Sequence, residues 1–275
     1  MAAPTAPAAR CAYSLVATDL DGTLLRGDDT FSDRSLDALA RVAAAGARHL
    51  VVTGRPAPRV RPLLDALRGQ QGLAVCGQGA QLYDAGTGRL LWSVTLDREL
   101  AETALGKIEA EVGEVYAAVD QDGVDGLTLI EPGYLMPHPT LPALRVGARD
   151  DLWRAPISKV LLRHPALSDD ELAATARSVV GSLATVTMSG PGTVELQPCG
   201  VTKATGLALA AEHLGLRPQD TIAFGDMPND LPMFDWAAHG VAMANAHPEL
   251  KAVADEVTTS NEDDGVAVVL ERLFP

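Results

Sequence analysis

The sequence predicts an α/β fold: a Rossmann-like three-layer core on a parallel sheet, with a second, α+β domain inserted into it. Three observations predict it. Over residues 13–76 short apolar runs alternate with amphipathic stretches of helical period, the pattern of a parallel sheet wrapped by helices. The same rhythm returns from residue 202 to the end. Between them, over about 83–197, strand candidates crowd together with two helices and a proline-rich segment, so the flanking stretches form one split domain. The implied division is a disordered tail at 1–12, a core of 13–82 and 197–275, and an inserted domain of 83–196.

The elements follow in order. The tail MAAPTAPAARCA is rich in Ala and Pro and lacks a leucine-rich apolar centre, so it reads as a loose end and not as a secretory signal. A strand over 13–18 precedes a helix over 32–45, with Ser32 as N-cap, Leu36, Leu39, Ala40 and Ala43 on one face, and Gly46 at its end. A strand over 49–52, a helix through Val60, Leu63, Leu64 and Leu67, and a strand over 73–76 come next. In the insertion the strands are expected over 115–119, 127–130, 157–163 and 183–188, and the helices over 98–112 and 168–180. Beyond it, helices over 202–214, 231–238, 248–254 and 263–273 alternate with strands over 221–224 and 240–243.

The 275 residues suffice for one large domain or two smaller ones. A net charge of −14 opposes bulk attraction to nucleic acid or to an anionic membrane surface, so an anionic ligand must find local positive charge. No stretch approaches the roughly 18 apolar residues of a membrane span. Cys11, Cys76 and Cys199 show no CxxC spacing and read as buried, reduced thiols of a cytoplasmic protein. No amphipathic seam or heptad pattern specifies an oligomer, and that state stays open.

In an open parallel sheet, ligands bind beyond the carboxyl ends of the strands. Asp19 and Asp21 stand there in DLDGT, Thr53, Gly54 and Arg55 after the second strand, Lys203 at the start of a helix, and Asp226, Asn229 and Asp230 in GDMPND. Each cluster alone fits an ordinary turn or helix entrance. Together they make one site. Asp19, Asp21 and Asp226 offer hard oxygens that suit Mg²⁺, and a divalent cation lets neighbouring carboxylates stay ionised. Thr53 offers a hydroxyl and Gly54 an unobstructed amide where a helix entrance favours an anion, and Lys203 adds fixed positive charge. Gly22 lets the chain turn sharply after the two acids. One carboxylate can attack phosphorus to form an acyl phosphate while the other moves protons.

The order DLDGT, TGR, Lys203, GDMPND resembles the haloacid dehalogenase superfamily, and the tail GVAMANAHPELKAVADEVTTSNEDDGVAVVLE is similar to its Cof-type sugar-phosphatase branch. The resemblance implies Asp19 as nucleophile and Asp21 as general acid and base. It implies Mg²⁺ held by the Asp19 side chain, the Asp21 carbonyl and Asp226, with Asp230 nearby, and a phosphoryl group held by Thr53, Gly54, Lys203 and Asn229. The insertion is similar to that branch's α+β cap, which closes over the site and selects substrates. The expected activity is Mg²⁺-dependent hydrolysis of a small phosphorylated metabolite, a sugar phosphate, through an aspartyl phosphate. A phosphomutase using the same aspartyl phosphate, or a regulator that binds the ligand without turnover, are the alternatives.

The chain departs from that branch at CGQGAQLYD, where Gln78 replaces the asparagine of an Asn-Gly-Ala turn. In the cap, Tyr134, Met136 and His138 could line the face toward the site, with a solvated loop as the favoured reading, and Arg163 and His164 read as structural.

Overall fold

A computed structural model describes residues 13–67, 72–136, 142–190 and 192–275. The expected tail, Cys11 and His138 lie outside the described residues. The core is an eight-stranded sheet. Its strands are β1 (Leu15–Thr18), β2 (Arg48–Val52), β3 (Leu73–Cys76), β4 (Gln81–Asp84) and β5 (Arg89–Ser93) from the first part of the chain. The insertion supplies β6 (Tyr116–Gln121), β7 (Thr128–Ile130), β8 (Leu144–Arg145), β9 (Ile157–Arg163), β10 (Thr185–Gly190) and β11 (Thr193–Gln197) to a second sheet. The core sheet is completed by β12 (Thr221–Gly225), β13 (His239–Ala242) and β14 (Glu256–Val257), in the order β14-β13-β12-β1-β2-β3-β4-β5.

From β14 to β3 every pairing in that sheet is parallel, and β4 and β5 close one edge as an antiparallel hairpin. The β1, β12 and β3 strands carry almost no polar residue and are buried, as a sheet covered on both faces requires. The helices α1 (Asp33–Ala44), α2 (Ala57–Ala66), α3 (Arg98–Val112), α4 (Asp169–Val180), α5 (Lys203–Leu214), α6 (Leu231–Trp236), α7 (Pro248–Lys251) and α8 (Gly265–Leu273) pack in groups, α1 against α8, α5 against α6, and α3 against α4. Ser32 caps α1 by accepting the Ser35 N–H at 3.0 Å, about 1 kcal/mol of helix stability for such a cap. Among the described residues no helix is long and apolar enough to cross a membrane.

The inserted sheet runs β10-β11-β9-β6-β7-β8 and is antiparallel except for the β7–β8 pair. Its two faces differ because side chains alternate along a strand. Ala117, Val119, Leu129, Val160, Leu162, Val194 and Leu196 form one core with α3 and α4. The opposite face carries Asp120, Thr128, Lys159 and Glu195, all buried, and turns toward the core domain, since Lys159 and Glu195 contact Gly54 and Gln78 there.

Two differences from the sequence reading stand out. The hairpin β4–β5 pairs with β3 through Cys76↔Gln81 and Leu73↔Asp84, so the eight-stranded sheet runs on to Ser93, past the expected division at 82/83. Cys76 is buried, with burial pushing its thiol up, but Cys199 is exposed in the turn between β11 and α5, contrary to the expectation for it.

Candidate active site

The parallel order places β1 between β12 and β2, so the chain leaves β1 toward one side and returns on the other. That reversal opens a crevice at the carboxyl ends of the strands. Asp19 follows β1, with its N–H donating to the Phe224 carbonyl of β12 at 3.0 Å. Thr53 follows β2, and Asp226 follows β12. The cavity there holds about 230 Å³, walled below by Asp19, Asp21, Gly54, Arg55, Asp226 and Asn229 and above by the inserted sheet.

The acidic centre is built from three buried carboxylates, Asp19, Asp226 and Asp230, each with an oxygen within 4.8 Å of the others. Lys203, fully buried at the first turn of α5, donates to Asp19 Oδ1 at 2.7 Å and to Asp230 Oδ1 at 2.6 Å. Burial alone would lower its pKa, but the two carboxylates outweigh that and raise it, so it stays an ammonium. Asp230 Oδ2 accepts the N–H groups of Asp226 and Met227 at 3.0 and 3.1 Å. Both Asp230 oxygens are thus spent on the protein, which makes it a holder of the GDMPND loop. Asp226 Oδ1 accepts the Thr23 hydroxyl at 3.0 Å.

Burial and like charge push Asp19 up to about 7, Lys203 opposing. Asp226 is likewise raised, by burial first and then by Asp19 and Asp230. Two carboxylates raised in this way are short of positive charge, and their donor set is all hard oxygen. A divalent cation such as Mg²⁺ fits both facts. Asn229 Oδ1, buried without a partner in the same wall, adds a further oxygen. Gly22, at φ +75°, brings the backbone so close that a Cβ there would lie 2.3 Å from Asp226 Oδ2, so the carbonyl turn of 21–22 and Asp226 share one small space.

Asp21 points elsewhere. Arg55 Nε donates to its two oxygens at 3.1 and 2.8 Å, and the same guanidinium reaches Asp29. Burial pushes Asp21 up, but Arg55 more than offsets it and holds the carboxylate below its ordinary value. Asp21 is therefore outside the three-acid cluster and stands ready as a carboxylate at the cavity wall. Thr53 is fully buried, its Oγ1 accepting the Arg55 N–H at 3.1 Å. Thr53 and Lys203 are buried and not among the residues lining the cavity, whereas Gly54 and Asn229 line it.

Gln78 has a defined task. It is completely buried, at φ 61° and ψ 28°, a left-handed conformation uncommon outside glycine. Its Oε1 accepts from Asn229 Nδ2 at 3.0 Å and its Nε2 donates to Glu195 Oε2 at 2.7 Å. Glu195 Oε1 in turn accepts from Lys159 at 2.6 Å, and Lys159 donates to the Gly54 carbonyl at 2.8 Å. A ring of contacts therefore runs from Asn229 through Gln78, Glu195 and Lys159 back to Gly54, joining both domains around the cavity. A Cβ on Gly54 would fall 2.5 Å from Gln78 Nε2, so the ring closes only over a glycine.

Sequence reasoning missed Lys159 and Glu195. Their signal was a charged residue inside an otherwise apolar strand, ISKVLLR and TVELQ, at the alternation that faces the cavity. The expected solvated loop is also corrected: Tyr134 is fully buried and, with half-buried Met136, lines the cavity, because both pack against Ala118, Ile130 and Leu161 on the sheet face. Arg163 donates to the Leu135 carbonyl at 2.7 Å and His164 bonds the Val112 carbonyl at 3.0 Å, both structural contacts.

Comparison with known proteins bears on this geometry. The sequence model of the haloacid dehalogenase-like hydrolases matches residues 16–270. The 5-amino-6-(5-phospho-D-ribitylamino)uracil phosphatase YwtE of Bacillus subtilis is 30% identical over 94% of this chain and 97% of its own. A chloroplastic endoribonuclease YBEY of Arabidopsis thaliana is also 30% identical over 94% of this chain, which spans only 46% of that protein. Among solved structures, a haloacid dehalogenase-like hydrolase from B. subtilis superposes with a TM-score of 0.80 at 25% identity, covering 94% of this chain and 99% of the other.

Proposed function

The chain belongs to the haloacid dehalogenase-like hydrolases, in their Cof-type branch, and on that premise we propose that it is a Mg²⁺-dependent phosphatase of small phosphorylated metabolites, sugar phosphates foremost, working through an aspartyl phosphate. The observation that carries this reading is the division of labour between the two aspartates of DLDGT. Asp19 sits in the acidic cluster with Lys203 on one oxygen, and Asp21 is held apart as a carboxylate by Arg55.

Mg²⁺ would be held by the Asp19 carboxylate, the Asp21 carbonyl and Asp226, and when bound it supplies positive charge that neutralises the acids and the phosphoryl oxygens. The rest is the work of the chain. Lys203 keeps one Asp19 oxygen fixed and leaves the other to attack phosphorus in line with the leaving oxygen. Gly54 and Asn229 orient the phosphoryl group, Thr53 supports that loop by accepting the Arg55 N–H, and Lys159 fixes the Gly54 peptide by its carbonyl. The P–O bond to the leaving group breaks as the Asp19–phosphorus bond forms, and Asp21, after leaving Arg55 and taking a proton from solvent, gives that oxygen its proton. Asp21 then takes a proton from the water that attacks phosphorus, which frees phosphate and restores the Asp19 carboxylate.

Phosphate release from p-nitrophenyl phosphate and a panel of sugar phosphates, with and without Mg²⁺, tests the reading. Turnover that needs Mg²⁺ and is abolished in Asp19→Asn is expected; a purified wild type that hydrolyses no ester of the panel overturns it.

A further inference from the structure

The cavity has two ends, and the polar groups of the cap end are nearly all spoken for. Glu195 accepts from Lys159, Ser189 and Gln78, and Thr128 donates to Asp120 at 2.5 Å. Among the described residues there, three groups are exceptions: Arg59 Nε, Asp120 Oδ2, which lies 3.7 Å from Arg59 and 3.6 Å from Lys159, and the hydroxyl of Tyr134. The Tyr134 ring is packed among Ala118, Ile130 and Leu161 with no exposed surface, yet among the described residues its hydroxyl has no hydrogen-bond partner. A buried hydroxyl left unpaired costs stability, and Tyr134 forms part of the cavity wall. A ligand can supply the missing partner. Burial, with Asp120 and Glu195 nearby, pushes the phenol up, so it stays a neutral group able to donate and accept. Arg59 Nε, buried without a partner in the same wall, is a second donor.

Charge narrows the ligand further. Each described cation lining the cavity faces a carboxylate: Arg26 meets Asp264 at 2.9 Å, Arg55 meets Asp21 and Asp29, Arg59 lies 3.7 Å from Asp120, and Lys159 meets Glu195 at 2.6 Å. Among the described residues no uncompensated positive charge remains at the cap end for a second phosphate.

We infer that the Tyr134 hydroxyl hydrogen-bonds a hydroxyl of the leaving group, and that the cavity takes monophosphates whose leaving group is uncharged and hydroxylated. The inference rests on the phosphatase reading and adds the chemistry of the substrate's other end. Tyr134 is then a specificity-determining residue.

The test compares wild type and Tyr134→Phe on p-nitrophenyl phosphate and on hexose, pentose and glycerol monophosphates, and the wild type on fructose 6-phosphate and fructose 1,6-bisphosphate. Tyr134→Phe should shift the ratio of kcat/KM for hydroxylated esters to that for p-nitrophenyl phosphate by about fivefold to tenfold against the hydroxylated esters, one neutral hydrogen bond's worth. Its melting midpoint should not fall below wild type, since only an unpaired hydroxyl is removed. The wild type should prefer the monophosphate to the bisphosphate at least about tenfold in kcat/KM. An unchanged ratio, a bisphosphate hydrolysed as well as the monophosphate, or a wild type active on p-nitrophenyl phosphate but on no hydroxylated ester overturns the inference and leaves the phosphatase reading intact. A wild type inactive on every ester overturns the phosphatase reading itself.

Discussion

At the scale of single residues, the two aspartates of DLDGT are separated by their partners and not by their chemistry. Asp19 is raised because it is buried among acids, and Asp21 is lowered because Arg55 grips it. The proton-moving role assigned to Asp21 predicts that Asp21→Asn lowers kcat by about 10²- to 10⁴-fold, read by steady-state phosphate release; activity within a few-fold of wild type would remove Asp21 from the mechanism. Lys203 is a different case. Its removal leaves Asp19 and Asp230 facing each other without the buried ammonium, so Lys203→Met should cost about 3–5 kcal/mol of folding stability as well as activity. Urea unfolding measures the first, and a variant as stable as wild type would contradict the buried charge pairing seen here. These residues were legible in the sequence because each motif is short and its spacing local: DLDGT and GDMPND each place their acids within one turn of backbone. That Asp21 would turn to Arg55, 34 positions away, was not legible, because only the fold sets that distance.

At the scale of elements, the strands of the core could be read from their apolar runs, and β1, β3 and α3 lie close to where the sequence put them. The β4–β5 hairpin could not. YDAGTGRL reads as a turn between two weak strands, and only its pairing with β3 shows that it extends the core sheet. The inward faces of β9 and β11 hid Lys159 and Glu195 for a related reason: a buried charge is acceptable only beside its partner, and the partner lies on another strand. The ring that these two make with Gln78 and Gly54 joins the domains, and it yields a prediction. Gly54→Ala drives a Cβ into Gln78 Nε2, so kcat/KM should fall tenfold or more while circular dichroism shows a folded protein. Unaltered kinetics would mean that the ring does not position the phosphate loop. In the same ring, Lys159→Met and Glu195→Gln should cost less together than the sum of their separate losses, because each single change strands a buried charge. Strict additivity in unfolding free energy would show the pair is not coupled.

At the scale of the whole molecule, a chain of net charge −14 lines its crevice with Arg26, Arg55, Arg59 and Lys159, and each of these described cations faces a carboxylate. The surplus of acid at the centre is what a divalent cation would relieve. Binding of Mg²⁺ to the folded state alone should therefore stabilise it, by about 2.7 kcal/mol when Mg²⁺ stands at a hundred times its Kd. Thermal melts with increasing Mg²⁺ should show a rising midpoint for the wild type and little change for Asp226→Asn, and a flat wild-type profile would argue against a metal at these acids. On the proposed reading the core domain would hold the phosphoryl group and the reacting carboxylates, while the inserted sheet supplies the other wall with its polar face.

The central claim is that Asp19 becomes covalently phosphorylated, and trapping that bond tests it most directly. Enzyme turning over a sugar phosphate with Mg²⁺ is quenched in acid and reduced with tritiated borohydride, which converts an aspartyl phosphate to labelled homoserine. Label at position 19, and none in Asp19→Asn, is the predicted result; active wild type that carries no label at that position, or Asp19→Asn that turns over substrate undiminished, would contradict it.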